Sequence, residues 1–600
     1  MRNVWVILAA VAVVALPFLF RRPSERAEWR PGDPVLVVIS PHNEAIRQEF
    51  GEGFSAWHRR QYGAPVKVDW RVIGGTTEIM RYLVSQFAGS AQAWWGRLGR
   101  SWPAGGGERM FDPRFDPGTP PDAAPNDPAA RLRFEEQAAL WRAFRASDDP
   151  DEATSRIDLF FGGGAYDHGR AAAQGLTVPL WPPDGPAPGA GVARALYERV
   201  REIPREAGGE TWRTDVYLGT VLSTFGICYN PDRLRDLGVA HPPRVWRDLA
   251  DPAYFGQVGV TDPTKSGSVA KAFEMIIHEQ CARAVAAAGF TDAQIRSFEQ
   301  RTVAARLPPG EVPTGVPAAY QEAVARGWVA GVNLVRLIGA NARYFTDGAG
   351  KVPIDVGDGV AAAGIAIDFY GRFQAESARA PDGTPRLVYV TPHGGSSVSA
   401  DPISVLRGAP NKELALRFAL YVMGPEGQKL WNYRPGTPGG PRRFALCRMP
   451  IAREFYPAGG GAEAAAAHRP YTNDDLTDPG VDAYALAARF DYQPRWTGRH
   501  FGIQRDLVKA MCLDSGDELR AAWRAVRTAG GPGAAPRAMA MLQRLPDVPE
   551  PLTWSSAIGA YNGYRREEVL RAWTAFFRAS YREAEATAAA EAGHVPQTAR

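Results

Sequence analysis

Residues able to hold a small polar group gather at a few points in the chain, each just after an apolar run. Ser40, His42 and Asn43 follow Val35–Ile39, and Gly75 and Thr76 follow the alternating run VKVDWRV. Gly163 and Gly164 follow Ile157–Phe161, and Thr264, Ser266, Gly267 and Ser268 follow Val258–Thr261. Asp368 and Tyr370 stand directly after Gly364–Ile367. Several of these turns lead into helical periodicity, so each reads as a strand, a turn and a helix start. Such a turn offers hydroxyls, backbone N–H groups and the positive end of a helix dipole, which suit a phosphate, a carboxylate or a sugar hydroxyl.

Signals for bond-breaking chemistry are missing by comparison. The chain has no Gly-x-Ser-x-Gly elbow and no His-Glu-x-x-His, the motifs of a serine hydrolase and a zinc protease. The run Gly162–Gly164 is not Gly-x-Gly-x-x-Gly, and no P-loop Lys-Ser/Thr follows it. His42, His168, His278 and His393 are candidate ligands, with His42 the best placed. Cys228, Cys281, Cys447 and Cys512 lie far apart with no Cys-x-x-Cys pair, which argues against zinc and leaves one or two disulfides or free thiols.

The elements that must position these residues follow from periodicity. Ile46, Phe50, Phe54 and Trp57 share one face of a helix after the first turn, and Ile79, Met80, Leu83 and Phe87 do so after the second. Residues 88–150, rich in Gly and Pro but holding Trp94, Trp95 and Trp102, read as a surface insertion. Val216–Tyr229 is a long β-rich segment able to cross between lobes. From Pro457 a Gly/Ala-rich linker leads to a mainly helical end with the stripe Leu570, Trp573, Phe577 and Tyr581. At the other end Arg2 precedes an apolar run from Val4 to Phe20, closed by Arg21-Arg22. That pattern predicts an uncleaved membrane anchor in preference to a cleaved signal, and export in either case.

Six hundred residues suggest roughly two to four domains. A net charge of +4 with no long basic run gives no reason to expect nucleic acid.

In order, the stretches ISPHNEAIRQEFGEGFSAWH, DLFFGGGAYDHGRAAAQGL, FGICYNPDRLRDLGV, WRDLADPAYFGQVGVTDPTKSGS, GVAAAGIAIDFYGR and DPISVLRGAPNKELALRFALYVMGPEGQKLW resemble the extracellular solute-binding proteins of ABC transporters. The resemblance is to the type II periplasmic-binding-protein branch that includes ferric-iron and phosphosugar binders. It implies an α/β, two-lobed fold with an N-terminal transmembrane or signal segment and a helical C-terminal extension. The expected division is a signal or anchor at 1–22, a linker at 23–34, and lobe 1 at 35–222 with its insertion. Lobe 2 follows at 223–388, a return to lobe 1 at 389–456, and the extension at 457–600.

The same resemblance places a ligand between the lobes, held by Ser40, His42, Asn43, Gly75, Thr76, Gly163, Gly164, Thr264, Ser266, Gly267, Ser268, Asp368 and Tyr370. Ferric-binding relatives carry adjacent tyrosines where this chain has Asp368-Phe369-Tyr370. Iron as a transported ligand would therefore rest on His42, Asp368 and Tyr370 alone, a thin set for a hard cation. No cofactor is expected. Arg343 is the cleft arginine the sequence suggests. The expected partners are a small-molecule solute, an ABC permease and, through residues 4–20, the inner membrane; a monomer in the periplasm or on the extracytoplasmic face is expected. Two other readings stay open at this point: a membrane-anchored hydrolase of a carbohydrate or phosphoester, and a binding lobe reused as a sensor or assembly module.

Overall fold

A computed structural model of the chain describes residues 29–120, 127–305, 307, 311–473 and 482–592. The expected anchor at 4–20 lies outside the described residues. Among the described residues no helix is long and apolar enough to cross a membrane.

The strands, in chain order, are β1 (Val35–Ile39), β2 (Lys67–Arg71), β3 (Leu159–Phe161), β4 (Glu206–Ala207), β5 (Glu210–Thr211), β6 (Tyr217–Ser223), β7 (Phe225–Tyr229), β8 (Val258–Thr261), β9 (Ala342–Thr346), β10 (Ala363–Ile367), β11 (Val388–Val390), β12 (Ser399–Val405) and β13 (Met449–Pro450). They form a six-stranded sheet in the order β13-β6-β12-β3-β1-β2, a five-stranded sheet in the order β11-β7-β10-β8-β9, and the small hairpin β4-β5. In the first sheet β1 runs parallel to β2 and β3, while β12 runs antiparallel to β3 and β6. Strands β3, β6 and β10 are buried at every residue, as expected of strands with helices on both faces. The chain passes from the first sheet to the second at Thr224, and returns after β11 through the segment that leads into β12. Each sheet with its helices is a lobe.

Local sequence explains the elements nearest the cleft. Asn43 caps helix Glu44–Tyr62, its side chain accepting from Ile46 N, and Gly63 ends the helix in the left-handed conformation. Ile46, Phe50 and Phe54 face inward from it. Ser266 caps helix Gly267–Ala287 in the same way, through Val269 N.

Two parts of the chain differ from the sequence expectation. Residues 88–97 are no loop but the continuation of helix Thr76–Arg97, because Ala91, Trp94 and Trp95 extend its buried face. Together with Met110, Phe111, Leu140 and Phe144 they make a small core against Ile39 and Phe160, and helix Pro128–Ala146 supplies the last two of these. Leu140 and Phe144 thus anchor the far side of the segment. The four cysteines are free thiols, each buried apart from the others.

The C-terminal extension is wrapped onto lobe 2. Trp523 Nε1 donates to Asn341 Oδ1 at 2.8 Å, and Arg336 donates to the carbonyls of Leu542 and Arg544. Arg495 makes a two-pronged ion pair with Glu299 at 2.7 and 2.6 Å. In the stripe expected from sequence, Trp573, Phe577 and Tyr581 are buried in this interface, with Leu570 half-buried.

Candidate functional site

Three helix starts meet at one cavity of about 740 Å³ between the lobes. Helices Thr76–Arg97 and Ala165–Ala173 point their N-termini at it from lobe 1, and helix Gly267–Ala287 does so from lobe 2. Gly75, Thr76, Gly164, Ala165, Ser266, Gly267 and Ser268 all line it. These turns bring unsatisfied backbone N–H groups and partial positive charge to a shared space. The lobes touch there. A Cβ built on Gly75 would lie 2.5 Å from the Lys265 carbonyl oxygen, and one on Gly267 would lie 2.7 Å from Thr76 Oγ1. Glycine at both positions lets the lobes close to contact.

Glycine is also required behind the first turn. Gly162 has φ of 93°, and a Cβ there would sit 2.5 Å from the ring of His42. Gly163 has φ of 100° and abuts Thr76. The glycine run therefore lets β3 turn tightly beneath the first two turns of lobe 1.

A buried charged group forms one wall. Arg448, fully buried, donates to Asp401 Oδ2 at 2.6 Å and to Ser223 Oγ at 2.6 Å. Its guanidinium lies 4.3 Å from the Phe369 ring and 5.2 Å from the Trp431 ring. His42 Nε2 is 3.3 Å from Asp401 Oδ2. Burial acts to push the Asp401 carboxyl up, but the Arg448 charge and the hydrogen bond with His42 outweigh it and bring it down to about 2. Burial holds His42 below its ordinary value, so the ring is neutral at pH 7.

A second charged group also lines the cavity. Lys271 Nζ is 2.9 Å from Glu210 Oε1 and 3.0 Å from Glu274 Oε2, and sits 3.9 Å above the Tyr492 ring. Ser397 donates to Glu210, and the Tyr492 and Thr497 hydroxyls donate to Glu274. Burial alone would lower the Lys271 value, but the two carboxylates carry it well above the ordinary range. Asp167 lines the cavity as well, its carboxyl pushed up by burial. Aromatic rings of Tyr166, Tyr217, Phe225, Phe369, Tyr370 and Phe501 complete the walls.

Of the positions expected from sequence, His42, Gly75, Thr76, Gly163, Gly164, Ser266, Gly267, Ser268 and Tyr370 line this cavity. Ser40, Asn43, Thr264 and Asp368 stand outside its lining. Ser40 Oγ accepts from His42 N, and Asn43 is spent on its helix cap. Thr264 bonds to Asp262. Asp368 is fully buried, with its carboxylate turned to the start of its own helix at Phe369 N. Arg343 is exposed on the following strand and is no cleft residue. His168 stacks on Phe160 and bonds to Gly162 O, and His278 accepts from Gln493 N, so both serve the core. His393 is exposed. Sequence reasoning passed over Asp167, Glu210, Lys271, Glu274, Asp401 and the extension's Tyr492, Arg499 and Phe501, all of which line the cavity.

Residues 197–445 match the family model described as bacterial extracellular solute-binding protein. The match covers less than half of the chain. The close carboxylate pair on the wall, Glu210 and Glu274, is bridged by Lys271, and the Ser397 and Thr497 hydroxyls donate to it.

The chain is also 28% identical over 123 residues to an uncharacterized protein of Haemophilus influenzae, covering 20% of this chain and 32% of that relative. It thus spans about a third of that curated relative. Among solved structures it is similar to the periplasmic binding protein AfuA from Actinobacillus pleuropneumoniae, at 14% identity and a TM-score of 0.42, over 78% of this chain and 97% of that one. It is similar to HitA from Pseudomonas aeruginosa at 14% identity and a TM-score of 0.36, over 73% and 99% of the two chains. With PotD from Streptococcus pneumoniae the values are 13% and 0.38, over 79% and 99%.

Proposed function

We propose that this chain is the substrate-binding component of an ABC import system, enclosing between its lobes a small polar solute that carries a phosphate or carboxylate group. The observation that carries this reading is the convergence of three helix N-termini, from both lobes, on one cavity. Contributions from both lobes are what allow a solute to stabilise the closed form, since only differential affinity can shift that equilibrium. The Arg499 side chain, which also lines the cavity, adds a positive charge. Asp401 and Glu210 offer acceptors for hydroxyls on the body of the solute. A permease would read the closed form, with the protein exported and held at the inner membrane by residues 4–20.

Ferric iron has less support. Tyr370 is the one tyrosine of the expected pair, and burial pushes its phenol up to about 12, away from the tyrosinate that iron needs. His42 Nε2 and Asp401 Oδ2 are already committed to each other and to Arg448.

The test is a thermal-shift screen with phosphosugars, inorganic phosphate, carboxylates, neutral oligosaccharides and ferric citrate. A solute at a hundred times its Kd adds about 2.7 kcal/mol of stability. A shift with phosphorylated or carboxylated compounds and none with their neutral counterparts is the expected outcome; a shift only with ferric citrate or only with neutral sugars overturns the reading.

Gly75→Ala supplies a sharper check. Gly75 has φ of −73°, so alanine is accommodated locally, but its methyl would strike the Lys265 carbonyl and prop the lobes apart. The variant should unfold at nearly the wild-type temperature and bind the solute found in the screen at least about tenfold more weakly. Equal affinity would mean that closure at this contact is irrelevant to binding.

A further inference from the structure

We infer that the C-terminal extension is a tie across the cleft, which fastens the two lobes in the closed position without any solute. The key residue is Arg505, nearly buried on helix Phe501–Val508. Its Nε donates to Pro263 O at 2.7 Å and its Nη2 to Thr264 O at 2.9 Å, both in lobe 2. The same Nη2 donates to Thr77 Oγ1, in the first turn of the lobe 1 helix Thr76–Arg97. One guanidinium therefore holds the facing edges of the cleft together, beside the point where Gly75 meets the Lys265 carbonyl.

Two further contacts make the extension a bridge at the floor as well as the rim. Tyr492 N donates to Gly208 O in the β4-β5 hairpin at 3.0 Å, and its hydroxyl donates to Glu274 on the lobe 2 helix. A Cβ on Gly209 would lie 2.0 Å from Tyr492 O, so the hairpin and extension are in close contact. Phe501 packs against Tyr166 of lobe 1 with ring centroids 4.5 Å apart. The two chain crossings between the lobes permit hinge motion. The extension, attached to both sides, opposes it, and opening requires that Arg505 let go of one lobe. That solute exchange is gated by this release rests on the solute-binding reading; the tie itself does not.

The experiment therefore uses no solute. Nitroxide labels at Leu98→Cys and Ile354→Cys, exposed positions on lobe 1 and lobe 2, report the distance between lobes in the full-length chain, and the native thiols are buried. The solute-free protein should give one narrow distance. Thr77→Val keeps the Arg505 bonds to Pro263 and Thr264 and removes only the lobe 1 acceptor. It should raise the ratio of open to closed distances at least tenfold, and Arg505→Ala at least as much. An unchanged distribution in Thr77→Val, or a solute-free wild type dominated by the longer distance, overturns the tie. Because no solute is present, neither result depends on whether the solute class proposed above is right.

Discussion

Lys271→Met is expected to cost about 3–5 kcal/mol of folding stability, the usual effect of stripping the counter-charge from buried carboxylates. Glu210 and Glu274 have side chains 9% and 1% exposed, and Lys271 is the cation between them. Methionine matches the stem in volume, so the loss is electrostatic rather than a cavity. One of the two glutamates must then take up a proton, its folded value rising above the unfolded one. The sign follows: the variant is most stable below the unfolded carboxylate range and loses stability as pH rises through the raised value. Urea midpoints at pH 5 and pH 7 measure this, and the deficit should be larger at pH 7. Adding Glu210→Gln and Glu274→Gln to Lys271→Met should recover most of the loss. A deficit that ignores pH and is not recovered would show that Lys271 acts by packing on Tyr492 instead.

Arg448→Met should have a comparable effect, about 3–5 kcal/mol at pH 7, because Asp401 is left charged and buried. In the wild type the Asp401 value falls from 3.8 to about 2 on folding. A lowered carboxyl contributes stability above its unfolded value, and that contribution, of order 2–3 kcal/mol, is lost as pH falls from about 4 to 2. In the variant this acid loss should disappear, so the gap between the two proteins closes toward pH 2. Burial also depresses His168 and His278, which makes both proteins weaken together below pH 6.5. Arg448→Met with Asp401→Leu should approach wild-type stability. A single variant within 1 kcal/mol of wild type at pH 7 would contradict the account.

The contrast between what could and could not be read from sequence has a physical basis. The first turn was legible because its signals are local: a β-branched run, an Asn cap at 43 and apolar residues at helical spacing. Ser266–Ser268 were legible for the same reason, lying between a short strand and a helix. Trp94 and Trp95 were misjudged because Gly96, Gly99 and Pro103 nearby suggested a loop, whereas the helix ends only after both rings are buried. Asp368 sits in the right turn, yet a carboxylate at a helix start can serve its own N–H groups, and here it does. The charged walls were not legible at all. His42, Asp401 and Arg448 are brought together only by the pairing of strands distant in the chain, with the first and last 406 positions apart. Arg505 had no signal either: helical periodicity shows that a face is buried, but not which lobe it is buried against.

The composition of the two sheets has a consequence for the order of assembly. Every strand of the lobe 2 sheet lies between Phe225 and Val390, whereas the lobe 1 sheet needs β1 at Val35 and β13 at Pro450. During synthesis from the N-terminus, the lobe 2 sheet can finish from a contiguous segment while the lobe 1 sheet waits, with β3 lacking the β12 strand that will cover its edge. Contacts of such high sequence separation form late and slowly. The half-made lobe 1, an apolar sheet with an open edge, is thus the species most exposed to aggregation and the one a holding chaperone would meet.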